Sequence, residues 1–179
     1  MSIKRQSMQW LLYILLLAVA GFAGFYVQQT LNGDSRAPQA VATGHPGFQL
    51  PGLDGKTVSS RDHEGKVIVV NFWATWCPPC LREIPLFMDL QKEYGAKGLQ
   101  FVGIAIDTED KVREFAAAQP FNYPIGLATT GGTQLSIGYG NVLGALPFTA
   151  VIDRDGKVVY TQAGEITRDK AEERILPLL

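Results

Sequence analysis

The chain has 179 residues, enough for one ordinary domain with an appendage, and an apolar fraction of 46% that can furnish a core. Its basic and acidic residues nearly balance, leaving a formal net charge of −1 and no electrostatic footprint for nucleic acid. With only two cysteines and two histidines, neither histidine at a finger-like spacing from the cysteines, structural zinc has too few ligands, and no metal site or cofactor is expected.

Trp10 to Val27 contains no charge, and Lys4 and Arg5 lie just ahead of it. At a rise of about 1.5 Å per residue, such a helix spans most or all of a hydrocarbon core. The basic flank predicts that residues 1–9 stay cytoplasmic and that the chain beyond residue 27 is exported. Ala18-Val19-Ala20 also fits a signal-peptidase site, which would leave a secreted periplasmic protein cut near Ala20. The apolar run continues through Phe22, Phe25, Tyr26 and Val27, however, with Trp10 and Tyr13 at its other end as interfacial anchors. The expectation is therefore an uncleaved signal-anchor over residues 10–27 in the cell inner membrane, with the C-terminal domain facing the periplasm or cell exterior. Residues 28–47, polar and small with Pro38 and Pro46, read as a linker in which His45 is solvated.

From Phe48 the pattern turns globular. Phe48-Gln49-Leu50 and Lys56-Thr57-Val58 flank a Gly-Leu-Asp-Gly turn and predict a small β-hairpin. His63, among charges in an expected loop, is assigned no chemistry. Val67 to Trp73 is nearly continuous and β-branched, the pattern of a strand buried on both faces. Leu81, Ile84 and Met88 then recur at helical spacing, so Cys77 and Cys80 sit at a strand-to-helix junction. A helix start presents unpartnered N–H groups and partial positive charge, which lower the pKa of a thiol at Cys77. Cys80, three residues on, is a neighbour on the same helix face. A purely structural disulfide would close too small a ring to constrain much of the unfolded chain, so the pair reads as redox-active.

Leu99 to Ile106 predicts another buried strand. Asp107 or Thr108 can cap a helix that carries Val112, Phe115 and Ala116 on one face and ends before Pro120. Pro124 to Ala128 is a weaker strand, followed by a short helix near Thr133 to Ile137. Phe148 to Ile152 and Lys157 to Thr161 flank Asp153-Arg154-Asp155-Gly156, a hairpin with glycine where a positive φ is needed. A last helix from Arg168 aligns Ala171, Ile175 and Leu178. Strands alternating with helices, then a closing hairpin and helix, indicate an α/β fold with a mixed central sheet flanked by helices.

Asn71-Phe72-Trp73-Ala74-Thr75-Trp76-Cys77-Pro78-Pro79-Cys80 resembles the thioredoxin-fold signature. With the N-terminal anchor, Arg82-Glu83-Ile84-Pro85, Leu146-Pro147-Phe148-Thr149 and Val151-Ile152-Asp153-Arg154-Asp155-Gly156, the chain is similar to the TlpA/ResA-like branch of membrane-tethered or exported thiol–disulfide oxidoreductases. Several of those serve cytochrome c maturation. The resemblance covers residues 48–179, read as a thioredoxin-like domain.

It implies that Cys77 attacks a partner disulfide and that Cys80 resolves the mixed disulfide, leaving a Cys77–Cys80 disulfide. Glu83 would be the acid–base group tuning the cysteines, against the plainer reading of a solvated first-turn carboxylate. Asn71 replaces the buried aspartate of thioredoxin, and an amide cannot take a proton from Cys80, which strengthens the case for Glu83. Trp76 would flank the nucleophile and shield it from water, a role compatible with the plainer reading of a half-buried core tryptophan. Pro78 and Pro79 suit the first helical turn and stiffen the ring; without a histidine between the cysteines, they favour a reductant. Pro147 would follow a cis peptide bond and turn the Leu146 backbone toward the partner. Pro85 should kink the helix, since it removes the amide that would bond to the Leu81 carbonyl. The implied partners are a disulfide-bearing exported protein and a membrane thiol–disulfide electron donor. The alternatives are a disulfide oxidase or isomerase, or a tethered binding module whose cysteines matter little. A peroxidase fits less well, because such enzymes use a lone cysteine.

Overall fold

The computed structural model describes residues 44–179, so the expected anchor over residues 10–27 and most of the linker lie outside the described residues. Among the described residues, no helix is long and apolar enough to cross a membrane.

The fold is a thioredoxin-like α/β fold built on a mixed five-stranded sheet. β3 (Val67–Trp73) lies at its centre, parallel to β4 (Leu99–Ala105) on one side and antiparallel to β6 (Phe148–Ile152) on the other. β5 (Ile125–Leu127) extends β4 in parallel, and β7 (Val158–Ala163) pairs antiparallel with β6. Before them, β1 (Gln49–Pro51) and β2 (Thr57–Ser59) pair antiparallel and form a separate two-stranded sheet. The helices are α1 (Pro78–Tyr94), α2 (Glu109–Ala118), α3 (Gly132–Gly138) and α4 (Arg168–Ile175).

Every residue of β3 is buried, which is why its sequence lacks the polar alternation of a one-sided strand. Side chains alternate across a strand, so β3 feeds two cores. Val67, Val69 and Trp73 pack with Ile84, Phe87 and Leu90 of α1, Val112 of α2 and Ala171 and Ile175 of α4. Ile68, Val70 and Phe72 pack with Val102, Ile104, Phe148, Ala150 and Ile152, and with Phe48 and Val58 of the small sheet. Asn71 falls in the first register, on the face covered by α1.

Gly156 has φ 80°, as its turn requires. α2 begins after Thr108, but the Thr108 side chain caps nothing; its backbone N–H is taken by Asp107 Oδ1 at 2.7 Å. α1 runs through Pro85 to Tyr94 as one helix.

Two histidines differ from expectation. His45 is buried rather than solvated: its ring stacks on Tyr139 at 5.6 Å, with Nδ1 3.0 Å from the Tyr139 hydroxyl. The hydroxyl itself donates to the Pro46 carbonyl at 2.7 Å. A tyrosine closing the second core needs a partner for its oxygen, and the entering chain supplies one. His63 ends a 3-10 turn (Ser60–His63), and burial, then the nearby Lys66, holds its pKa below the ordinary histidine value.

Candidate active site

β3 delivers the chain to the site. After Trp73, the backbone turns through Ala74 and Thr75, and the Cys77 N–H bonds back to the Ala74 carbonyl at 3.2 Å. Asp107, at the end of β4, fixes this turn: its Oδ2 accepts from both the backbone N–H and the hydroxyl of Thr75. Burial pushes the Asp107 carboxyl up, but the hydrogen bonds from Thr75 and Thr108 outweigh it and hold it below the usual carboxylate range.

Cys77 is the N-cap of α1, with φ −102° and ψ 96°, and Pro78 and Pro79 are the first two helical residues. Prolines here cost the helix nothing, because those N–H groups would have no intrahelical partner. They also remove donors. With Cys77's own N–H spent on Ala74, Cys80 alone among these first four residues keeps an N–H to offer a sulfur. Cys77 and Cys80 are joined in a disulfide with a Cα–Cα distance of 5.3 Å. Both are buried, Cys77 at 4% exposure and Cys80 at none.

Glu83 lies one turn further and is 1% exposed, so the solvated first-turn carboxylate is not what the fold holds. Asn71 Nδ2 donates to its Oε1 at 2.7 Å, and the Ile166 N–H donates to its Oε2 at 3.2 Å. Asn71 Nδ2 also donates to Thr149 Oγ1 at 3.1 Å, across the β3–β6 pair, while Asn71 Oδ1 is buried without a partner. Burial raises Glu83 to about 7; the hydrogen bonds from Ile166 and Asn71 oppose the rise, and the Glu165 charge adds to it. Tyr123 is nearby, its phenol held far above its ordinary pKa by burial and then by the Glu83 charge. On the outside, Arg82 donates to Glu165 at 2.6 Å, so the segment entering α4 is held to the start of α1 twice, by Arg82 to Glu165 and by Glu83 to Ile166.

The Leu146–Pro147 peptide bond is cis. Phe148 pairs with Phe72, which brings Pro147 to the end of the sheet where β3 hands over to Cys77. Leu146 is half-buried against both cores. Trp76 is 63% exposed, so the plainer reading of a half-buried core tryptophan does not hold. Trp73 occupies the core position, its ring 5.4 Å from Phe115 and 5.5 Å from Phe121, and leaves Trp76 on the rim beside exposed Pro78. His45 and His63 have no part in this constellation.

Thr149, within the Leu146-Pro147-Phe148-Thr149 motif, joins the site through its hydroxyl, which accepts from Asn71. Ile166 gave no signal, because what it contributes is a backbone N–H. Asp107 does more than cap a helix, since it also holds the Thr75 turn.

The chain is similar to known proteins over most of its length. Residues 34–176 match the Redoxin family model. The thiol-disulfide oxidoreductase ResA of Bacillus cereus is 34% identical over 160 residues, covering 89% of this chain and 90% of the relative. The thioredoxin-like protein YneN of Bacillus subtilis is 34% identical over 175 residues, covering 93% and 96%. Among solved structures, a thiol:disulfide interchange protein of the thioredoxin family from Chlorobium tepidum superposes with a TM-score of 0.66 at 33% identity, covering 76% of this chain and 95% of that one.

Proposed function

The chain belongs to the Redoxin family and is a ResA-like thioredoxin-fold protein-disulfide oxidoreductase, and from that membership we propose that it works as a reductant of disulfides in exported proteins. In this reading, residues 10–27 hold it at the inner membrane and the thioredoxin-like domain works on the outer side. A membrane dithiol donor recharges it. The haem-attachment cysteine pair of an apocytochrome c is the substrate of choice.

The observation that carries the direction is how little beyond the helix start itself stabilises a Cys77 thiolate. Strong oxidants owe their potential to a stabilised reduced form. Here the intervening residues are two prolines, with neither a cation nor an N–H, and a buried carboxyl follows one turn later. The reduced pair therefore gains little and gives up its electrons readily.

The reduced Cys77 thiolate attacks one sulfur of the partner disulfide, breaking that bond and forming a mixed disulfide; the displaced partner thiolate takes up a proton. Cys80 then loses its proton to Glu83 and attacks Cys77 Sγ. The mixed disulfide breaks, the partner leaves as a dithiol, and two electrons have passed to it as the Cys77–Cys80 disulfide forms. Cys77 is the attacking sulfur because Cys80 is sealed completely. Leu146, beside the cis bond, offers its backbone to the partner strand. Glu83, poised near neutrality, can both take and return the proton.

The test is the equilibrium potential of the full chain in detergent, titrated against glutathione and dithiothreitol. A value near that of thioredoxin, about −270 mV, is expected; one near about −120 mV would make the pair a disulfide donor and overturn the reading.

A further inference from the structure

The β1–β2 hairpin lies along the outer edge of β5 without filling the space beside it. It is tied there at several points. Gly52 bridges to Gly126, where a Cβ would lie 2.9 Å from Leu50 Cδ1, and Arg113 of α2 donates to the Leu53 carbonyl at 2.7 Å. Between these ties a cavity of about 450 Å³ remains, a size usual for small-molecule sites. Its walls are firm. Val58, Tyr123 and Ile125 are buried, and Leu53 and Phe121 pack against the first core.

His63, at the end of its 3-10 turn, supplies the polar group. Among the described residues neither of its ring nitrogens has a hydrogen-bond partner, and Nδ1 is sealed from solvent. A proton on Nδ1 would bury an N–H without an acceptor, which proteins tolerate less well than a bare acceptor. The neutral ring therefore carries its proton on Nε2, the nitrogen that is not sealed. Burial and the Lys66 charge, outweighing Asp62, hold the ring in that neutral form.

The carboxylates around the cavity are already committed. Asp62 accepts from the Ser59 N–H at 3.3 Å, and Asp54 accepts from the Lys56 N–H at 3.0 Å and faces its ammonium at 3.9 Å. Two carboxylates against one lysine repel an anion, while the His63 N–H repels a cation. Phe121 and Tyr123 meet edge to face at 5.4 Å and offer aromatic surface to a flat ring.

We propose that this cavity binds an uncharged, ring-bearing small molecule whose carbonyl oxygen accepts from His63 Nε2 while its ring lies against Phe121 and Tyr123. The wall it would touch backs onto the redox site. Phe121 packs on Trp73 at 5.5 Å, and Tyr123 is close enough to Glu83 to feel its charge.

The test uses the full chain in detergent and three probes of similar shape: acetophenone, its hydrocarbon counterpart ethylbenzene, and the anion benzoate. Saturable shifts of the Tyr123 and Ile125 amides in NMR spectra report occupancy of this cavity, with affinities referred to the free probe. Acetophenone should bind about tenfold more tightly than either of the others, the scale of one hydrogen bond. His63→Phe keeps a ring in place and removes an orphaned nitrogen, so the chain should fold at least as well and bind acetophenone no better than ethylbenzene. Ala116→Trp, which fills the cavity from α2, should abolish the shifts with every probe. Nitrogen NMR of the His63 side chain should show the proton on Nε2.

No saturable shift with acetophenone, equal affinity for acetophenone and ethylbenzene, or a preference that survives His63→Phe overturns the proposal. Benzoate binding as tightly as acetophenone also overturns it, assigning the cavity to anions. Shifts that persist in Ala116→Trp place the probe elsewhere, with the same result. A His63 proton on Nδ1 removes the donor and the proposal with it.

Discussion

At the scale of single residues, Glu83 decides most. Its carboxyl is raised from 4.5 to about 7 because burial outweighs the two hydrogen bonds that favour its charge. Below about pH 4.5, the group is protonated in the folded and unfolded chains alike and costs nothing. Between about 4.5 and 7, the unfolded chain releases its proton first, so stability falls as pH rises, by up to about 3 kcal/mol once both states are charged. Glu83→Gln should remove that slope. Urea denaturation of the oxidised protein from pH 4 to pH 8 should show the substituted chain gaining on the wild type across this window. The same substitution should erase an inflection near neutral pH in the rate of disulfide reduction, leaving the reaction slower above it.

Among the elements, β4 owes its place beneath α1 to a missing side chain. Gly103 pairs with Asn71 on one side and Ile125 on the other. A Cβ there would lie 2.6 Å from Ile125 Cδ1, 3.1 Å from Trp73 Nε1 and 3.4 Å from Tyr123 Cε2. Ile125 can swing its methyl aside. Trp73 has less room, since its ring is already packed against Phe115 and Phe121. Gly103→Ala should therefore destabilise the domain by about 1–3 kcal/mol, the usual cost of overpacking, read as a lower urea midpoint at unchanged slope. Helix α1 shows the opposite economy: Pro78 and Pro79 sit where a helix needs no N–H, while Pro85 stands where it does, leaving the Leu81 carbonyl without its helical donor.

For the molecule as a whole, the question is where the folded unit begins. Gly44, His45 and Pro46 lie in a stretch that reads as linker, yet His45 is buried against Tyr139, and Pro46 takes the Tyr139 hydroxyl bond. A fragment starting at Gly47 should lose both and leave the Tyr139 hydroxyl in the core without a partner. Relative to a fragment starting at Ala40, it should be less stable by about 1–3 kcal/mol, measurable by thermal or urea denaturation. Equal stabilities would mean that these contacts contribute nothing.

The sequence by itself determined the strands and helices of the domain, the junction that carries Cys77 and Cys80, and the turn at Gly156, because each rests on local physics: alternation, helical spacing, and the backbone freedom of proline and glycine. It also pointed to Glu83 and Pro147, through motifs whose positions match a known family. Only the tertiary structure decided that Trp76 stands on the rim, since the buried-strand pattern ends at Trp73 and says nothing of how far the next tryptophan is covered. It decided that Glu83 is buried and that its second oxygen meets the Ile166 N–H, a partner with no side-chain signature at all. It likewise set His63, a loop residue by sequence, in the wall of a cavity beside β5. Burial and long-range hydrogen bonds depend on which segments the fold brings together, and no window of neighbouring residues contains that information.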